Sequence, residues 1–90
     1  MGKIDAFNIN GLEIYFRSND HPPPHFHVRR AGEWEIRVFI VSTSEAHLDY
    51  DVVWPKRLKG VTSKTRKELR KSVTQHKAAL LEEWEEKVDY

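Results

Sequence analysis

The chain has 90 residues, of which 39% are hydrophobic and 32% are charged, and its formal net charge is +1. This length allows one small domain with a single modest core, so we expect one domain over residues 1–90. The chain has no cysteine, which excludes disulfide bonds and thiolate metal sites and favours a cytoplasmic location, and its longest apolar run, Val38–Val41, is too short to cross a membrane.

Alternating apolar and polar residues predict three or four strands, all within residues 7–54. Residues 12–17 alternate over six positions, which places Leu12, Ile14 and Phe16 on one face of the first strand. The later strands are predicted from the same alternation and from the polar or glycine-containing breaks between them. They are His25–Arg29, Glu33–Ile40 and Ala46–Val53.

The hairpin between the second and third predicted strands can be given a register. We expect a three-residue loop, Arg30–Gly32, with its glycine at the position that needs a positive φ. His27 then faces Glu35, and His25 faces Arg37. A slip of one residue would bring charged side chains onto the apolar face, so this register is favoured.

The last third of the chain changes to a helical pattern. Residues 55–62 form a basic linker, and apolar residues then recur every three or four positions over about residues 63–88. Thr65 and Glu68 have the spacing of a capping box near the start of this helix. We therefore predict an α+β fold, in which one long C-terminal helix packs on the apolar face of a small antiparallel sheet.

The most informative motif is H-P-P-P-H-F-H-V at residues 21–28, which holds three of the five histidines and three of the four prolines. The prolines stiffen the segment that leads into the second strand. His25 and His27 then leave the same face of that strand, with Cα atoms about 7 Å apart. Two imidazoles in this arrangement can hold a metal ion, an anion or a proton.

The polar face of the predicted sheet supplies the candidate catalytic site. Glu35 is placed to orient His27, as either a metal ligand or a general base requires. Arg37 and Arg17 are placed to hold a phosphate or a carboxylate. An ordinary solvated sheet face is the alternative explanation for these charges. The candidate catalytic residues are His25, His27, Glu35, Arg37, Arg17 and Tyr15.

A divalent metal ion is a further possibility for the histidines. The candidate ligands are His21, His25 and His27. A polyproline II spacer would hold His21 about 12 Å from His25, too far for shared coordination unless the corner at Asp20 folds back.

Positive charge is concentrated between Lys56 and Lys71, where eight lysines and arginines stand against one acid, Glu68. Such a segment could contact nucleic acid or an acidic partner without reading sequence, or it could simply be a solvated helix face. The candidate nucleic-acid-binding residues are Arg57, Lys59, Lys64, Arg66, Lys67, Arg70 and Lys71.

The segment N-D-H-P-P-P-H-F-H-V at residues 19–28 resembles the N-D-H-x-P-P-H-F-H signature of a bacterial family of domains of unknown function. Residues 75–85 resemble the closing helix of that family. Its members are often encoded beside a second small protein, and such pairs are regarded as candidate toxin–antitoxin modules with this domain as the toxin. The resemblance implies a bacterial, cytoplasmic protein with a small antitoxin-like partner, and it implies no particular reaction.

Three functional hypotheses follow. The first is a toxin that acts on RNA or a nucleotide, with His25 and His27 as acid and base or as metal ligands, and with Arg37 or Arg17 holding phosphate. The second is a non-catalytic module that binds RNA, DNA or a partner protein through the basic segment. The third is a histidine metal site with a structural role. We expect no membrane partner.

Overall fold

The computed structural model describes residues 2–88, so the outermost residues of the predicted 1–90 domain lie outside it. Its five strands form one antiparallel sheet in which neighbours along the chain are neighbours in space. Two helices follow the sheet. The elements are β1 (Gly2–Lys3), β2 (Glu13–Phe16), β3 (His25–Arg30), β4 (Trp34–Phe39), β5 (Tyr50–Trp54), α1 (Ser63–Gln75) and α2 (Lys77–Lys87).

The α+β class is confirmed, but the sheet is larger than the three or four strands predicted. The additional strand is β1, which has only two residues and therefore shows no alternation of its own. It exists because Gly2 pairs with Phe16 and Lys3 pairs with Tyr15 at the edge of the sheet. The backbone N–H of Ile4 extends this pairing by donating to the carbonyl of Ile14 at 3.2 Å.

The prediction of one long helix is wrong, because the helical region is divided at His76. The backbone of His76 has φ −121° and ψ 20°, outside the helical range, and its N–H donates to the carbonyls of Ser72 and Val73. Apolar positions recur on both sides of this break, so their spacing does not reveal it. Neither helix within residues 2–88 is long and apolar enough to cross a membrane.

The first helix is capped by Thr62 and not by the predicted box at Thr65 and Glu68. The hydroxyl of Thr62 accepts a hydrogen bond from the backbone N–H of Thr65 at 3.3 Å. Thr65 itself is buried within the first turn. The capping residue therefore lies three positions earlier in the sequence than the pattern suggested.

One face of the sheet forms the core, as the alternation predicted. Leu12, Ile14 and Phe16 are all buried. Together with the alternate residues of β3 and β4 they form a single apolar cluster with side chains from both helices, and Phe16 meets Trp84 of α2 edge to face at 6.0 Å. The helices thus cover the apolar side, and the polar side chains of the strands lie mainly opposite. His25 is an exception, because its ring centre lies 5.5 Å from that of Trp84 in α2.

The register of the β3–β4 hairpin differs from the prediction by two residues. The loop is Ala31–Glu33, one residue later than expected, with Gly32 at φ +78°. His25 therefore pairs with Phe39, and His27 pairs with Arg37. A shift of two keeps every side chain on its predicted face, because alternation specifies the face and leaves registers of the same parity equivalent.

Candidate metal centre

The candidate site lies on the polar face of the sheet, where cross-strand pairing aligns side chains from all five strands. Lys3, Tyr15, His27, Arg37 and Asp51 are successive partners across β1 to β5. Partners in adjacent antiparallel strands point to the same face. The pairing therefore produces one row of polar and aromatic side chains with His27 at its centre.

Several polar side chains on this face are withdrawn from water. The exposed fraction is 6% for His25, 3% for His27 and 4% for Glu35. Burying ionisable groups costs free energy unless they find polar partners. An ordinary solvated sheet face therefore does not explain these three residues, although it remains a sufficient description of exposed Glu13 and Asp51.

The loop between β2 and β3 brings the carboxylate of Asp20 against both histidines. Its oxygens lie 3.1 and 3.2 Å from Nε2 of His27, and Oδ1 lies 3.5 Å from Nε2 of His25. The loop is closed by two hydrogen bonds, in which the backbone N–H of Arg17 donates to the Asp20 carboxylate and that of Asp20 donates to the carbonyl of Arg17. This turn holds the carboxylate in place.

The ring of His25 is oriented by a backbone carbonyl. Its Nδ1 lies 2.9 Å from the oxygen of Pro23. Because a carbonyl can only accept, Nδ1 carries the proton, and in neutral His25 the lone pair is on Nε2. That lone pair faces Asp20. The proline segment thus has a direct role, since it supplies the acceptor that fixes the tautomer.

The ring of His27 lies between two carboxylates. Nε2 contacts Asp20, while Nδ1 lies 3.5 Å from Oε2 of Glu35 and is buried without a hydrogen bond within the described residues. Its ring also stacks on Tyr15 with centroids 5.4 Å apart. A neutral imidazole has one N–H and one acceptor lone pair, so in that state the lone pair of His27 must face one of the two carboxylates.

Burial lowers the pKa of His27, and the hydrogen bond and charge of Asp20 only partly offset this effect. The neutral form is therefore favoured relative to an ordinary exposed histidine. Neutral imidazole is also the form that binds metal ions.

Arg17 stabilises the second carboxylate of the site. One of its terminal nitrogens donates to Oε2 of Glu35 at 2.8 Å, and its guanidinium lies 5.9 Å from the ring centre of Tyr15. The same oxygen of Glu35 faces His27. Glu35 thus connects Arg17 to His27, although the residue directly opposite Glu35 in β3 is Arg29.

The structure changes the membership of the predicted metal cluster. Among residues 2–88, a group of nitrogen and oxygen donors close enough to share a metal ion is formed by Asp20, His25 and His27, with all three ligand atoms within 4.8 Å of one another. His21 is exposed and is not part of this group. The sequence feature that could have identified Asp20 is its place in the N-D-H motif, immediately before His21 and the proline segment.

The remaining predicted catalytic residues divide between two places. Tyr15 stacks on the ring of His27, and Arg17 reaches the site through its contacts with Tyr15 and Glu35. Arg37 pairs across the strands with His27, but its guanidinium is directed to Asp51 at 3.4 Å, and its Nε is buried without a hydrogen bond within the part of the chain described.

The predicted nucleic-acid-binding residues follow β5 in the linker and in α1, away from β2 and β3 in sequence. Arg66 donates to the carbonyl of Val61, and Arg70 donates to the carbonyl of Glu45. Within residues 2–88, none of the seven forms an ion pair with a carboxylate. They are Arg57, Lys59, Lys64, Arg66, Lys67, Arg70 and Lys71.

Comparison with known proteins gives one family match. The model of a domain of unknown function, DUF4160, matches residues 11–85, a range that includes β2 to β5, the candidate metal cluster, all of α1 and most of α2. No curated protein and no solved structure matches the chain.

We expect the metal-free protein to lose stability as the pH falls below the ordinary histidine pKa of about 6.5. Burial lowers the pKa of His27 in the folded state, so in this window the unfolded chain binds a proton that the folded chain does not. The free energy of unfolding therefore falls as the pH falls, and this contribution is fully present above the unfolded value. Urea denaturation at about pH 7.5 and about pH 5.5 measures the change.

The comparison variant is His27→Gln, which should show a smaller loss of stability between the two pH values. His21→Ala removes an exposed histidine and should keep the loss seen in the unmodified protein. An unchanged pH dependence in His27→Gln would show that other groups are responsible.

Proposed function

The chain belongs to the DUF4160 family, and from the geometry of its site we propose that it is a metal-dependent toxin component that acts on RNA or a nucleotide. The metal ion is held by Asp20, His25 and His27. In this proposal a small antitoxin-like protein is its partner, and both act in the bacterial cytoplasm.

The observation that carries the proposal is the direction of the four imidazole nitrogens. Both Nε2 atoms converge on the carboxylate of Asp20, while the Nδ1 atoms face the carbonyl of Pro23 and the carboxylate of Glu35. Metal-binding histidines characteristically donate their outer N–H to a carbonyl or carboxylate. A cation between the inner atoms would remove the unfavourable contact of the His25 lone pair with the Asp20 carboxylate. It would also take the place of the hydrogen bond from His27 to Asp20, so that His27 carries its proton on Nδ1, which faces Glu35.

The donor set indicates the class of metal and the kind of site. Two imidazole nitrogens and one carboxylate oxygen suit zinc, nickel or ferrous iron. Structural zinc sites are usually closed by four protein ligands, whereas catalytic sites use three and leave a position for water or substrate. Three protein donors therefore support a reactive site over a purely structural one. A bound divalent ion would supply Lewis-acid activation of a phosphate ester.

We expect protein purified without a histidine tag and treated with a chelator to bind about one equivalent of Zn²⁺ or Ni²⁺ in calorimetry. Asp20→Asn, His25→Ala and His27→Ala each remove a donor and should abolish this binding. Glu35→Gln keeps all three donors but alters the outer contact of His27, together with the ion pair to Arg17, and should weaken the affinity by roughly 10–100-fold.

His21→Ala is the matched control for the metal experiment, because it removes a neighbouring histidine that is exposed and outside the cluster. It should bind metal as the unmodified chain does. If His21→Ala loses as much affinity as His25→Ala, or if the unmodified chain binds neither ion, the assignment of this site is wrong.

The toxin proposal is tested by expression of the chain alone in a bacterial host. The unmodified chain should arrest growth, and co-expression of the antitoxin-like partner that the proposal assigns to it should restore growth. The Asp20→Asn variant and the His25→Ala, His27→Ala double variant should not arrest growth, whereas His21→Ala should. If the double variant arrests growth as strongly as the unmodified chain at the same protein level, the metal centre is not needed for the activity.

A second candidate function, a non-catalytic nucleic-acid-binding module, is favoured by the distribution of ion pairs. On the sheet, Arg17, Arg29 and Arg37 each contact a carboxylate. The cations of residues 56–71 contact none within the described range. Lys64, Lys67 and Lys71 are exposed, and their spacing of three and four residues places them on one face of α1.

We expect the chain to bind single-stranded RNA with an affinity that falls as salt concentration rises. Each lysine contact to a phosphate should contribute about 0.7 to the slope of log affinity against log salt, so replacing Lys64, Lys67 and Lys71 by Gln should reduce the slope by about 2. Filter binding over a range of salt concentrations measures this.

Lys77→Gln serves as the control for this experiment, since the ammonium of Lys77 is held by the carbonyls of Val41 and Thr43. It should leave the slope nearly unchanged. If the His25→Ala, His27→Ala variant binds RNA as the unmodified chain does, the basic segment acts independently of the metal centre. If the triple lysine variant retains the full slope, this second function is contradicted.

A further inference from the structure

A groove of about 500 Å³ opens beside the metal centre at the β1–β2 edge of the sheet. Its charged lining consists of three cations, Lys3, Arg17 and Arg29, and one acid, Glu13. Tyr15 and Ile14 of β2, together with Leu12 just before that strand, complete the lining. The volume is within the range of pockets that hold small organic ligands.

The cations of the groove retain capacity for an anion. Nε of Arg29 donates to Glu13, and one terminal nitrogen of Arg17 donates to Glu35. Each guanidinium has five N–H donors, and both side chains are 43% exposed, so further donors remain accessible. The ammonium of Lys3 is exposed and makes no ion pair with the residues that the structure describes.

The groove and the metal centre share a wall. Tyr15 lines the groove and also stacks on the ring of His27. Arg17 lines the groove and also binds Glu35, whose carboxylate faces Nδ1 of His27. A ligand in the groove would therefore lie next to the residues that orient a metal ligand.

We propose that the groove binds the terminal phosphate of a nucleotide or of an RNA end, held by Lys3, Arg17 and Arg29. A terminal phosphate has a charge of about −2 and three acceptor oxygens, which matches three neighbouring cations better than a singly charged carboxylate does. Guanidinium groups also form paired hydrogen bonds with phosphate. The assignment deepens the proposed function by naming the substrate group, and it rests on that function only for the role of the phosphate in a reaction.

Phosphate binding is measured on chelator-treated protein, so that it does not depend on the metal centre. The probes are inorganic phosphate, AMP, and one RNA oligonucleotide prepared with a 5′-phosphate and with a 5′-hydroxyl. AMP should bind, and Arg29→Gln and Lys3→Gln should each weaken AMP binding by at least about tenfold, as expected for loss of a charge-assisted contact. Stronger binding of the 5′-phosphorylated oligonucleotide than of both its 5′-hydroxyl form and AMP would identify an RNA end as the ligand.

Lys77→Gln is the matched control for Lys3→Gln, because it removes the same charge at a lysine that does not line the groove and whose ammonium is held by the carbonyls of Val41 and Thr43. It should retain the affinity for AMP. The proposal is overturned if neither AMP nor phosphate binds, if Lys77→Gln and Lys3→Gln weaken binding equally, or if the two oligonucleotides bind equally and Arg29→Gln affects neither.

The outcome is separable from that of the metal proposal. Arg29→Gln should retain the affinity for Zn²⁺, and Asp20→Asn should retain the affinity for AMP. If the unmodified chain binds AMP but no metal ion, only the metal centre is contradicted. If it binds a metal ion but neither AMP nor phosphate, only the groove is contradicted.

Discussion

Burial of ionisable groups on the polar face of the sheet is the constraint on which the arrangement of the site depends. Two imidazoles and two carboxylates lie together with little access to water, and each would cost several kcal/mol if it were charged and without partners. Arg17 offsets much of this free-energy cost through two hydrogen bonds. Its backbone N–H donates to Asp20 and its guanidinium donates to Glu35, so one residue at the end of β2 supports both carboxylates.

How much of this molecule could be predicted depends on whether the signal is local. Alternation identifies the two faces of β2 to β4 correctly, because burial of one face imposes the period. It could not distinguish hairpin registers two residues apart, and so it assigned Glu35 rather than Arg37 as the cross-strand partner of His27. The break at His76 left no trace in the apolar spacing on either side.

The residues of the candidate site also divide into those that have a local sequence signal and those that do not. The histidine pair was recognisable because residues two positions apart in a strand lie on the same face, whatever the register of that strand. Asp20 was missed because its position depends on a turn, and a stiff proline spacer suggested that the preceding residues point away. The groove could not be predicted, since it requires the short strand β1 to bring Lys3 beside Tyr15.

The donors of the proposed metal centre all lie within eight residues of sequence, from Asp20 to His27. A chelating segment so compact keeps its ligands near one another even in the unfolded chain. A metal ion would then bind both states, and only the difference between the two affinities would stabilise the fold. The melting temperature would consequently understate how tightly the ion is held, and the segment could capture metal during synthesis, before the sheet around it has formed.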